Sequence, residues 1–194
     1  MRKSVLKSFL ICSAFMLSFG LFLSGCGNRV ESPKNSDYQY EMVKTLPSNL
    51  KFLIDENKAY TYKEIDGKQS TWRFVSKDSD REEIWKNQDG KVAVVWDRES
   101  SKLYWDNDED NSEFNPIRSS LVMGGQWGSD DNLYTITHFY KSFTVQAGEF
   151  TNVVEVTKTY QDDLVNKMYY ASDVGLILSL NEKNKPNLEL VKFE

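Results

Sequence analysis

The sequence predicts a mainly β fold: a single antiparallel meander, curved into a sheet or a half-open barrel, with at most one short helix. Three observations predict it. From Lys58 onward, apolar and aromatic residues alternate with polar ones at the two-residue period of a strand. The alternating runs recur about every ten residues. Turn formers separate them, as at Asp66-Gly67, Asn87-Gln88-Asp89-Gly90 and Ala147-Gly148.

In chain order, Tyr38, Tyr40 and Met42 suit a short strand, and Ser48 after Pro47 could cap a brief helix over 49–56 with Leu50, Leu53 and Ile54 on one face. Strands follow around Tyr60–Tyr62, Thr71–Ser76, Glu82–Lys86, Lys91–Trp96 and Lys102–Trp105. The acidic run 106–113 breaks the pattern as an exposed loop, and the glycine-rich stretch 115–131 reads as irregular, with Trp127 folding back onto the sheet. The last third is the most regular. Strands are expected over 133–145, 150–160, 164–171, 174–180 and 188–193, neighbouring one another in order. His138 falls on the face of Ile136 and Tyr140.

The domain organisation is set by the first residues. Arg2, Lys3 and Lys7 precede an apolar, small-residue stretch over 8–24, the form of a secretory leader. The stretch falls short of the ~18–20 residues of a bilayer span and carries four serines. It ends in Leu23-Ser24-Gly25-Cys26, which resembles the lipobox of bacterial lipoproteins. The resemblance implies cleavage before Cys26 and a diacylglyceryl thioether on its sulfur. The expected organisation is then a signal peptide over 1–25, the lipidated cysteine and a flexible tether over 26–37, and an antiparallel β domain over 38–194.

Removing residues 1–25 takes away three cations and no acid, leaving 21 cations against 29 acids, a balance of −8. Nucleic acid is excluded as a partner, because phosphate recognition needs clustered Lys and Arg. The same balance gives the folded part no expected pull towards anionic lipid. Cys12 and Cys26 are the only cysteines, so the mature chain has no disulfide and no thiol nucleophile. All five tryptophans and all ten tyrosines lie beyond the leader and must supply the core.

Two phrases of the last third, Thr144-Val145-Gln146-Ala147-Gly148-Glu149-Phe150-Thr151-Asn152-Val153-Val154-Glu155-Val156 and Tyr169-Tyr170-Ala171-Ser172-Asp173-Val174-Gly175-Leu176-Ile177, resemble paired hairpins of uncharacterised bacterial secreted proteins and lipoproteins. The resemblance implies no activity. It departs from the usual pattern at Asp173, where a glycine is usual, and this leaves the turn type there open.

No catalytic set is legible. His138 is the one histidine and no Gly-x-Ser-x-Gly elbow accompanies it. The function expected is therefore that of a non-enzymatic, membrane-anchored lipoprotein facing outside the cytoplasm, binding a protein, lipid or wall partner or serving a structural role. The alternatives are a carrier of an apolar ligand in the concave sheet face and a hydrolase using His138 with an acid. No cofactor is expected beyond a weak calcium candidate. Asp106, Asp108 and Asp110 hold positions 1, 3 and 5 of a calcium loop, but Asn111 replaces the glycine at position 6 and Ile117 the glutamate at position 12. Extracellular calcium sites can be as weak as ~10⁻⁴–10⁻³ M. Calorimetric titration with millimolar calcium tests this one: heat that disappears in Asp108→Asn supports it, and no heat removes it.

Overall fold

The computed structural model describes residues 37–52, 54–79, 82–96, 121–129, 132–160 and 164–194. They form one antiparallel sheet of 11 strands: β1 (Tyr40–Val43), β2 (Ala59–Glu64), β3 (Gln69–Ser79), β4 (Glu82–Asn87), β5 (Val92–Trp96), β6 (Gln126–Ser129), β7 (Asn132–Val145), β8 (Gly148–Tyr160), β9 (Val165–Ala171), β10 (Gly175–Leu180) and β11 (Pro186–Phe193). The leader, Cys26, the tether up to residue 36, the strand expected at 102–105 and the acidic loop with Asp106, Asp108 and Asp110 lie outside the described residues.

The sheet is mainly β and antiparallel as predicted, but its order is not the chain order. Two meanders, β7-β8-β9-β10-β11 and β2-β3-β4-β5, are joined edge to edge by β11 and β2. That junction runs from Leu188 opposite Glu64 to Phe193 opposite Tyr60, and a reciprocal backbone pair between Ala59 and Glu194 extends it (2.7 and 3.2 Å). β1 crosses to the far edge of β7. There it shares one side of that long strand with β6: β6 covers Asn132–Thr135, β1 covers Phe139–Phe143, and the backbones of Gly124 and Gly125 bond Ile136 between them. A side chain at Gly125 would place its Cβ 2.9 Å from the Val122 carbonyl oxygen, so glycine is required for that approach. The first meander curls: the Ala147 amide in the β7–β8 turn donates to the Leu190 carbonyl of β11, four strands away (3.1 Å).

Three hairpins close with one solution. Ile65-Asp66-Gly67, Gln88-Asp89-Gly90 and Glu182-Lys183-Asn184 are three-residue loops whose last residue has positive φ (86°, 79° and 55°) and donates back to the residue before the loop. This is a type I turn followed by a left-handed residue, which restores the strand twist. In the second and third loops the preceding asparagine accepts two amides through its side chain: Asn87 Oδ1 from Asp89 and Lys91, Asn181 Oδ1 from Lys183 and Lys185. The β9–β10 turn is settled too. Asp173 adopts the left-handed conformation (φ 59°) and Gly175 follows at φ 90°, so Gly175 is needed for its backbone angle.

The helix expected over 49–56 is absent; the segment is a strap with two short turns. Leu50 is half-buried while Phe52 and Ile54 are buried, an alternation of two where a helical period was expected. Residues 44–58 connect β1, paired with β7, to β2, paired with β11, and the extended backbone lets Phe52 and Ile54 both enter the core. The strap is fixed midway, where the Asp173 amide donates to the Lys51 carbonyl at 2.7 Å, and at its end, where the Asp55 amide donates to the Tyr60 hydroxyl at 2.7 Å. The stretch read as irregular before β7 also holds a strand, β6, whose pairing with β7 lays Trp127 flat against Tyr134 (5.7 Å between ring centres, 9° between planes).

Both faces of the first meander are buried near its centre. Val154, Val156, Met168, Tyr170 and Leu176 pack on one face with Tyr62, whose hydroxyl donates to the Leu176 carbonyl (2.8 Å). Tyr169 points to the opposite face and is buried as well. The strap is expected to be part of the core: Phe52→Ala should lower the unfolding free energy by roughly 3–5 kcal/mol, and Lys51→Ala, which keeps the bonded carbonyl, by no more than about 0.5 kcal/mol. Urea denaturation measures both.

Candidate functional site

A constellation of titratable side chains that the sequence did not single out centres on Glu155. It lies mid-strand on β8 and is 2% exposed. Its neighbours come from β7 because that strand carries an irregularity between Ile136 and His138. Without it, Thr137 and His138 would point to opposite faces. With it, both reach one oxygen: Glu155 Oε1 accepts from Thr137 Oγ1 at 2.8 Å and from His138 Nδ1 at 3.0 Å. Glu155 Oε2 accepts from the Tyr140 hydroxyl at 2.6 Å. His138 therefore shares a face with Tyr140 as expected, whereas Ile136 pairs with Val156 on the other side.

Burial acts to raise the carboxyl pKa, but the bonds from His138, Tyr140 and Thr137 outweigh it, and the group is held at about 2. The same charge, after burial, pushes the Tyr140 and Tyr169 phenols far up, so both remain donors. With the carboxylate ionised, Nδ1 of His138 carries the proton of that bond. Around the carboxylate sit rings from three strands: Tyr40 against Tyr140 (5.3 Å), Phe143 against Tyr169 (4.7 Å) and Tyr38 stacked on Phe143 (5.6 Å).

Chemically, this resembles the acid and base of a hydrolytic triad, with no third member among the described residues. A triad needs a hydroxyl on the free nitrogen of the imidazole. The hydroxyls here, Thr137 and Tyr140, donate to the carboxylate instead. Thr137 also meets Thr157 (3.0 Å). With three donors on it and the Tyr169 phenol interacting as well, the carboxylate has little capacity left for a ligand. The arrangement fastens β7, β8 and β9 together. No protein family, curated protein or solved structure matches the chain.

A second buried carboxylate, Glu83 on β4, accepts from Trp85 Nε1 at 3.4 Å and lies close enough to Tyr60 to help raise that phenol's pKa, after burial itself. Among the described residues no group of three His, Cys, Asp or Glu side chains is placed to hold a metal. The alternation of β7 signalled His138 and Tyr140, but only a strand register could have signalled Glu155, because it lies 17 residues further on.

The folded-state pKa of Glu155 lies below its ordinary value of 4.5, so its contribution to stability is present above pH 4.5 and is lost as pH falls towards 2. The shift corresponds to roughly 3 kcal/mol. Glu155→Gln should be destabilised by about that amount at pH 7 and should lose less between pH 4.5 and 2 than the parent. Chemical denaturation across that range reads both effects.

Proposed function

We propose that the protein is a lipoprotein held through Cys26 on the outer side of the cytoplasmic membrane, where its β body serves as a non-catalytic binding or structural element. The observation that carries this reading is the leader: a basic start, an apolar stretch too short to span and Leu23-Ser24-Gly25-Cys26 at its end. The single histidine is engaged with a buried carboxylate whose other partners are structural, which supports a role other than catalysis. Packing favours this reading over the apolar-ligand carrier. Both faces of the first meander are filled by its own side chains near the centre: Tyr62, Met168, Tyr170 and Leu176 are buried on one, where the Tyr170 hydroxyl reaches Met168 Sδ (3.5 Å), and Tyr140, Phe143 and Tyr169 on the other.

Cys26→Ser is the direct test. The parent should incorporate labelled fatty acid, be shortened by the leader and sediment with membranes. The variant should be unlabelled and retain its leader. Equal labelling and equal electrophoretic mobility of the two would refute the anchor.

A further inference from the structure

We propose that the sheet face carrying Lys63, Arg73, Lys86 and Lys192 rests on the anionic headgroups of the bilayer, a step that builds on the lipid anchor proposed above. The four residues come from β2, β3, β4 and β11. Register places them together: Ala59 opposite Arg73, Arg73 opposite Lys86, Thr61 opposite both Thr71 and Lys192, and Lys63 opposite Glu189. Strand alternation puts them on the face away from Tyr60, Tyr62, Trp72 and Trp85, and all four are exposed.

The balance of −8 hides this face, because net charge averages over the whole surface. Strand alternation puts three acids of the described strands on it: Glu82, Glu189 and Glu194. Glu189 accepts from the Gln146 amide (3.0 Å), while Glu194 lies 2.8 Å from Lys192 and 4.0 Å from Arg73. Lys63 and Lys86 make no ion pair among the described residues. Arg73 and Lys86 stand directly opposite each other on adjacent strands, a like-charge pair that destabilises a sheet and that Glu194 offsets only through a 4.0 Å contact with Arg73. Between the cations the floor is low: Ala59, Thr61 and Thr71, with the two threonine hydroxyls 2.9 Å apart. Long cationic side chains around a shallow hydroxyl floor suit a flat surface of phosphate oxygens.

The point of attachment agrees. The chain joins the sheet at Tyr38, stacked on Phe143 and within the field of Glu189 on the same β11. Tyr38 is twelve residues beyond Cys26, at most about 40 Å of chain. A basic side chain near an anionic leaflet contributes about 1 kcal/mol, an attraction that acts within a Debye length of the surface.

The test uses the full lipidated protein reconstituted into vesicles of phosphatidylglycerol or of phosphatidylcholine, with lysine acetylation read by mass spectrometry. On phosphatidylglycerol, Lys63, Lys86 and Lys192 should react about tenfold more slowly than Lys183 and Lys185. The difference should vanish on phosphatidylcholine, in 1 M salt, where the Debye length is about 3 Å, and in Arg73→Glu/Lys86→Glu. Protein that floats with the vesicles but shows equal reactivity at all five lysines overturns the docking face and leaves the anchor standing. Protein that fails to float overturns the anchor, and the docking face with it.

Discussion

The pairing of β11 with β2 is the constraint on which the rest of the structure depends. The chain makes two local meanders, and neither closes on itself. Only the return of the C-terminal strand to the first strand of the other meander makes them one sheet. That pairing fixes where Tyr60 and Tyr62 sit, and Tyr62 in turn bonds the backbone of β10. It also brings Phe193 against Tyr60 (5.2 Å) and Phe150 (6.1 Å), joining rings from residues far apart in sequence. The described residues hold no cysteine, so the sheet must obtain its cohesion from such long-range contacts.

The same pairing forces the strap. Once β1 lies on β7 and β2 on β11, the intervening residues run past the ends of five strands, and core burial of alternate side chains overrides local helix preference. Phe52 and Ile54 then enter the core from an extended backbone. The Glu155 network belongs to the other meander and works at shorter range. An irregularity in β7 aims Thr137 and His138 at one carboxylate, and the bonds there outweigh the penalty of burying a charge. Removing one partner of such a group leaves a buried charge under-bonded, so its role is to hold three strands in register.

Local pattern made much of this legible. Strands β2, β4 and β7 to β11 fall where alternation and turn residues put them, and the five C-terminal strands neighbour one another in order. The glycines at 67, 90 and 148 all take positive φ, as hairpin chemistry requires. What was not legible depends on partners distant in sequence. β6 is four residues long and is a strand only because β7 lies beside it. The helix expected at 49–56 failed because a hydrophobic triplet, Leu50, Leu53 and Ile54, satisfies the helical period by chance while Phe52 and Ile54 satisfy the strand period in fact. Glu155 was one acid among 29, and nothing in its neighbourhood distinguishes it until register sets it opposite His138. The cationic face was hidden in the same way: Lys63, Arg73, Lys86 and Lys192 are scattered in sequence and gathered by pairing.

The measurement closest to the central claim is native-state hydrogen exchange resolved by residue. If the β11–β2 junction unites the sheet, paired amides of β2 and β3 and of β8, β9 and β11 open together, with one free energy equal to that of global unfolding. Amides of β2 and β3 that open at much lower free energy, while β8 and β9 stay protected, would mean that the two meanders are separate units, contradicting the account.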